Sequence, residues 1–272
     1  MARTRPPFAT KPAFESMEQV ARELRLEVIA LSHQSKTVLP STSLSCVELL
    51  IALYWTILRI DPTRPDDPNR DRFLFNKSDS ISILYAVLAR RGFFPSEELK
   101  QFNKEGCRLA LQPAPHSVPG LEWSLNLPGQ GLGVTVGMAL AAHTLEQNYK
   151  IYIMIGDDFC ANSVQESARI AAQLGLSNLT AIVETNKFAR PSGKNPSVAQ
   201  WKSFGWETRE VDGHDTTAIG KILKEQRDEE RPLALIASTN KGYGIGFASE
   251  DLWANRPPSE EEVETARKEL TR

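Results

Sequence analysis

Cysteine is scarce: Cys46, Cys107 and Cys160 form an odd, scattered set with no metal-ligand spacing. That excludes a disulfide framework and a zinc-finger pattern, and it suits a reducing, cytoplasmic setting. No apolar run approaches the roughly 18 residues that cross a bilayer. An excess of one charge is also lacking, since 32 lysines and arginines face 34 aspartates and glutamates for a formal net charge of −2. Without a clustered basic excess there is no electrostatic footprint for nucleic acid. The 16 glycines and 17 prolines among 272 residues match average usage, so collagen-like and low-complexity chains drop out. Met1-Ala2-Arg3-Thr4-Arg5-Pro6-Pro7 is basic but leads into no apolar stretch, unlike a secretory signal. What is left is an ordinary globular composition, 41% hydrophobic and 24% charged, enough for one large or two small domains.

Residues 1–14 carry Pro6, Pro7 and Pro12 and no periodicity, and read as a flexible arm. From Glu15 to Leu31 apolar residues recur at Val20, Leu24, Leu26, Ile29 and Ala30, a helical spacing. A second helix is expected behind Ser43 as N-cap, through Val47, Leu49, Leu50 and Leu53 to about Leu58. Arg72–Phe75 reads as a strand and Ile81–Arg90 as a helix ended by Gly92. Residues 105–128, with four prolines, form a long irregular segment of the kind that usually carries function. The second half alternates more regularly. Helices are expected at Gly129–Gln147, Ser163–Leu174 and Thr216–Arg227, and strands at Lys150–Ile155, Leu179–Glu184, Trp206–Val211 and Leu233–Ser238. Apolar strands linked through helices predict an α/β fold, a parallel sheet with helices on both faces.

In such sheets ligands sit beyond the carboxyl ends of the strands. Asp157 follows the strand ending at Ile155, and Asn186 follows the one ending at Glu184. With one helix between them, the two belong on neighbouring strand tips. An Asp carboxylate, an Asn amide oxygen and a nearby backbone carbonyl make a hard-oxygen site suited to Mg²⁺ or Ca²⁺. The competing reading has Asp157 capping the next helix and Asn186 closing a turn. Gly129, Gly133, Gly137 and Ala141 recur every four residues, which suits either a subunit contact or tight packing within the domain.

The Gly156-Asp157 and Asn186 pairing resembles the thiamine-diphosphate fold, and the chain as a whole resembles a transketolase. The resemblance runs from about Leu24 to Leu270. It is carried by Ser43-Leu44-Ser45 before Leu49-Leu50-Ile51-Ala52-Leu53-Tyr54, then Arg70-Asp71-Arg72-Phe73, Leu84-Tyr85-Ala86 and Gly92-Phe93-Phe94-Pro95. It continues through Pro119-Gly120-Leu121-Glu122, Gly129-Gln130-Gly131-Leu132, Gly137-Met138-Ala139-Leu140-Ala141, Phe204-Gly205-Trp206, Asp212-Gly213-His214-Asp215 and Thr239-Asn240-Lys241-Gly242. The resemblance implies that residues 15–272 are a transketolase N-terminal-type, diphosphate-binding domain using thiamine diphosphate and Mg²⁺. The pyrimidine-binding half would be a separate C-terminal subunit, giving an α2β2 heterotetramer. The implied reaction moves a ketol or acyl fragment from a ketone donor to an aldehyde or ketone acceptor. Gly156, Asp157, Asp158, Asn186, Asn126, Asp79 and Lys241 would bind the cofactor. Asp157, Asn186 and the Phe188 carbonyl would hold the metal.

Against that family the chain departs at the pocket. Leu39 stands where the Ser-Gly-His-Pro motif has its histidine, and Ser-Lys-Gly-His reads Asn76-Lys77-Ser78-Asp79. Gly-His-Pro reads Leu111-Gln112-Pro113, and Trp-His-Gly reads Trp253-Ala254-Asn255. Gly-Asp-Gly becomes Gly156-Asp157-Asp158, followed by Phe159. Asp79 and Asp158 would bring negative charge toward an anionic diphosphate, with Lys77, Lys187 or Lys241 as the cations to offset it. Losing these imidazoles removes phosphate donors and proton-transfer groups, which points away from the pentose phosphate pathway. His33 and His116 are the remaining catalytic candidates, and His214 reads as structural. The alternative to an enzyme is a catalytically silent subunit that scaffolds or regulates the C-terminal partner.

Overall fold

The computed structural model describes residues 16–36, 40–122, 129–156, 162–186, 198–225, 228–248, 253 and 256–271. Five strands form one sheet: β1 Arg72–Asn76, β2 Ile151–Ile155, β3 Leu179–Asn186, β4 Glu207–Asp212 and β5 Leu233–Thr239. All pairs are parallel, in the order β1-β2-β3-β5-β4. Each strand falls within two residues of its expected span.

Both faces of this sheet are covered because successive strand side chains point to opposite sides. Leu74, Ile151, Ile153, Ile155, Ala181, Val183 and Ile236 enter one core, against α5 Gly131–Thr144, α6 Asn162–Gln173 and α7 Val198–Ser203. Phe73, Phe75, Tyr152, Met154, Ile182 and Leu235 enter the other. There they meet α1 Met17–Ser35, α3 Val47–Ile51, α4 Ile81–Arg90, α8 Thr216–Lys224 and α9 Glu260–Leu270. The inner strands β2, β3 and β5 therefore read as largely apolar runs, whereas β4, Glu207–Asp212, at the edge is polar and mostly half-buried. Asp71 ties the starting rim of the sheet: Oδ1 accepts from the Lys150 N–H and Oδ2 from the Arg59 N–H, each at 2.9 Å. No helix among the described residues is long and apolar enough to cross a membrane.

One expected helix is rebuilt. The chain is already helical at α2 Pro40–Leu44, turns at Ser45–Cys46, resumes as α3 and continues as a π-helical stretch over Ala52–Ile57. Ser43 is not a cap; its hydroxyl is buried and shares a hydrogen bond with Ser82 Oγ at 3.1 Å. Ser45 Oγ donates to the Thr42 carbonyl at 2.7 Å and Thr56 Oγ1 to the Ala52 carbonyl at 2.6 Å. Hydroxyls that bond the preceding turn compete with the regular helical ladder.

Helix α5 begins at Gly131, two residues later than expected, because Gly129 occupies a turn at φ 79°. Of the small-residue stripe, Gly133, Gly137 and Ala141 are exposed. A side chain added at Gly137 would meet nothing within 4 Å. At Gly133 an added Cβ would stand 3.2 Å from Ser167 Oγ of α6, so packing within the domain uses that end of the stripe and leaves Gly137 and Ala141 open. The expected arm, residues 1–14, lies outside the described residues.

Candidate cofactor site at the strand tips

Register sets the site. Asn76 ends β1 beside Ile155, the last residue of β2, and Gly156 follows directly. On β3 the chain runs on to Asn186, which pairs with Thr239 at the end of β5. Asn76, Gly156, Asn186 and Thr239 thus share one rim, with Asn186 only 5% exposed. Of the two expected neighbours, Asn186 stands on the β3 tip beside the end of β2, and Asp157 lies outside the described residues.

Behind this rim lies a buried ion pair. Lys77 Nζ sits 2.6 Å from Glu184 Oε2 and donates to the Thr42 carbonyl at 2.6 Å and to Ser45 Oγ at 3.0 Å. Glu184 Oε1 accepts from Thr239 Oγ1 at 2.8 Å. Burial alone would push the Lys77 ammonium down and the Glu184 carboxyl up. Their mutual attraction overrides burial, so Lys77 is held above its usual range and Glu184 below. The Lys77 stem lies along Gly156, where an added Cβ would stand 3.4 Å from Lys77 Cγ. Lys77 is therefore not the cation expected to face a diphosphate; its charge answers Glu184. Nearby Cys46 is fully buried, and that burial pushes its thiol up to about 12, so it stays a neutral thiol.

The opposite side of the β1 tip is different. Asn76 is 3% exposed, and its side-chain amide nitrogen has no hydrogen-bond partner among the described residues. Leaving such a group buried and unpaired costs on the order of 1–3 kcal/mol. Its carboxamide presses on the first turn of α5: an added Cβ at Gly131 would lie 2.8 Å from Asn76 Cγ and Oδ1. Gln130 makes no side-chain cap there, and no acidic residue occupies that turn. Ser163 Oγ, in the first turn of α6, donates to the Gly129 carbonyl at 3.1 Å. Two helix N-termini therefore converge beside β2, an arrangement that favours anions.

The other expected residues are placed as follows. Asp79 is exposed, in the single turn Ser78–Ser80 that follows β1. Lys241 is half-buried, two residues beyond Thr239. His33, in the last turn of α1, has Nδ1 2.9 Å from the Pro258 carbonyl. His116 is exposed at φ 55°. Neither histidine shares a hydrogen bond with a tip residue among the described contacts. Asp157, Asp158, Asn126 and Phe188 lie outside the described residues.

His214 is built in as a structural group. Its Nε2 accepts from the Asn240 N–H at 2.8 Å, so Nδ1 carries the proton toward Glu48 Oε2 at 3.2 Å. Its ring stacks on Tyr243 with centroids 3.6 Å apart. Burial opposes the Glu48 charge, but hydrogen bonds from His214 and Arg25 and the Arg25 charge hold its carboxyl below the usual range. This network fastens the turn after β5. Sequence reasoning missed Asn76 and the Lys77–Glu184 pair. A polar residue ending an apolar strand was the available signal for the first; the second joins residues far apart in the chain.

Residues 16–271 match the family described as transketolase, thiamine diphosphate binding domain. The chain belongs to the transketolase family. It is 31% identical over 267 residues to one subunit of the apulose-4-phosphate transketolase of Actinobacillus succinogenes, covering 95% of this chain and 97% of that one. It is 32% identical over 229 residues to the 6-deoxy-6-sulfo-D-fructose transketolase subunit SqwG of a Clostridium species, covering 81% and 83%. Mouse transketolase is 30% identical over 252 residues, but this chain spans only 40% of it. Among solved transketolases, that of Campylobacter jejuni superposes with a TM-score of 0.86 at 25% identity, and that of Leishmania mexicana with 0.84 at 23%. These alignments cover 94% and 95% of this chain and 42% of each structure. The transketolase fold and the matched thiamine-diphosphate-binding domain thus agree with the tip geometry.

Proposed function

We propose that this chain is the diphosphate-binding subunit of a two-component, thiamine-diphosphate-dependent transferase. It would move a ketol or acyl fragment from a ketone donor to an aldehyde or ketone acceptor outside the pentose phosphate pathway. The observation that carries this reading is the rim itself, where Gly156 and Asn186 stand on adjacent tips above a fixed ion pair. The near end-to-end match to two named transketolase subunits supports the division into two chains.

The described residues fit the cofactor. Asn186 offers an amide oxygen, Gly156 leaves space free of a side chain, and Asn76 has an unanswered amide beside two helix N-termini. Asp157, Asn186 and the Phe188 carbonyl would hold Mg²⁺. Gly156, Asp158, Asn126, Asp79 and Lys241 would border the diphosphate. Thiamine diphosphate, when bound, supplies a nucleophilic carbon and an electron sink for breaking and remaking a carbon–carbon bond. The chain's own part is to bind and orient: Lys77 and Glu184 hold the backs of β1 and β3 at constant separation. His33 and His116 remain its candidates for handling a substrate proton.

The partner in this proposal is a C-terminal transketolase-like subunit, completing an α2β2 heterotetramer. The exposed α5 face supports it: Gly137 and Ala141 lie open, with Leu140 39% exposed and Ile170 and Leu174 exposed on and just after α6. A cytoplasmic location belongs to the same reading, supported by the free thiols of Cys46 and Cys107. Isothermal titration of the two-subunit complex with thiamine diphosphate and Mg²⁺ tests the proposal. Micromolar binding that Asp157→Ala abolishes is the expected result. No heat at saturation would instead mark a silent subunit, the reading favoured by the exposed Asp79 in a histidine's place.

A further inference from the structure

We propose that the side-chain amide of Asn76 is a hydrogen-bond donor to the cofactor's diphosphate, taking over from the imidazoles that this chain has lost. The inference rests on the thiamine-diphosphate reading above. Asn76 is the last residue of β1, level with Ile155 and next to Gly156. It belongs to the rim and points away from the Lys77–Glu184 side, because Leu74 of the same strand parity packs toward α5 and α6. More than nine in ten buried polar groups have a partner, yet this amide nitrogen has none among the described residues at 3% exposure.

The surroundings select the partner's charge. Asn76 abuts Gly131 at the start of α5, a 14-residue helix with no side-chain cap and no acid in its first turn. A helix N-terminus draws negative charge to its end. Gly131 is what allows the approach, since any larger residue would collide with the Asn76 carboxamide. An N–H₂ donor, a positive dipole end and a side-chain-free approach together fit an anionic oxygen. The residue also compensates for its neighbourhood: where the family motif ends in a histidine, this chain has Asp79, exposed and negative. An amide donates a hydrogen bond without a titrating proton, so Asn76 keeps its donor at any physiological pH.

The test uses the two-subunit complex, titrated with Mg²⁺ plus thiamine diphosphate, then with Mg²⁺ plus inorganic pyrophosphate, and finally with thiamine alone. Asn76→Ser should weaken thiamine diphosphate and pyrophosphate about tenfold, the size of one lost hydrogen bond to a charged group. Asn76→Asp should weaken them further, and thiamine should bind both variants as it binds the native complex. Diphosphate affinities within twofold of native in a folded Asn76→Ser variant would overturn the assignment while leaving the cofactor reading intact. Absence of thiamine diphosphate binding to the native complex would overturn both. Should either variant fail to fold, a crystal structure of the native complex with cofactor decides: Asn76 Nδ2 within about 3.2 Å of a phosphate oxygen supports the proposal, and a longer separation overturns it.

Discussion

At the scale of single residues, the strongest commitment in the molecule is the Lys77–Glu184 pair. Removing one partner leaves a buried, uncompensated charge, which costs about 3–5 kcal/mol. Lys77→Met and Glu184→Gln should each lower the unfolding free energy from urea titrations by that amount, and the double variant should recover most of it. The pH dependence follows from the two shifts. Glu184 titrates below its ordinary 4.5 in the folded state, so its contribution is present above 4.5 and fades as pH falls through the folded value. Lys77 titrates above its ordinary 10.5, so its contribution is complete below 10.5 and fades as pH climbs through the folded value. Between about pH 5 and 10 the pair should add a constant stability. Glu184→Gln should flatten the acid limb measured by denaturation from about pH 3 to 7. Asn186 stood out in the sequence because it closes an apolar strand, and in the structure it ends β3. Which charge answers Lys77 was not, since that depends on β1 and β3 being brought together through β2.

Among elements, β1, β2, β3 and β5 were legible because their burial makes them largely apolar runs, and the polar edge strand β4 was legible from the strand–helix alternation around it. The helix behind Ser43 was misread because a hydroxyl there can cap a helix or bond sideways, and the choice belongs to Ser82 across the core. The six-residue α7 was missed, being too short to display a period. Helix α9 carried an explicit start signal in Ser259 and Glu262, whose side chains cap one another's backbone N–H groups. Ser259→Ala should cost about 1 kcal/mol and lower the melting temperature accordingly. The meeting of α5 with β1 gives a sharper test. Gly131→Ala would put a methyl group 2.8 Å from the Asn76 carboxamide, an overpacking expected to cost about 1–3 kcal/mol. Combining it with Asn76→Gly, which removes the Cβ that would stand 2.9 Å away as well as the carboxamide, should relieve much of that penalty, seen as a coupling energy in a double-mutant cycle of urea titrations.

For the molecule as a whole, the open face of α5 is where the proposed partner subunit would dock. Gly137 and Leu140 are open there, so Leu140→Glu should leave the melting temperature of the isolated subunit unchanged and weaken its association with the partner by about tenfold or more. Sedimentation of the mixed subunits would check this. The likeness to two-component relatives was legible in the sequence through family resemblance, whereas the outward orientation of Gly137 and Ala141 needed the fold. One consequence of an all-parallel sheet is practical. Reactive machinery gathers at a single edge, and the far edge, laced shut by Asp71, is independent of it. A maleimide handle at Asp66→Cys, on the exposed turn leading into that far edge, would anchor the protein to a sensor chip with its working end facing the flow.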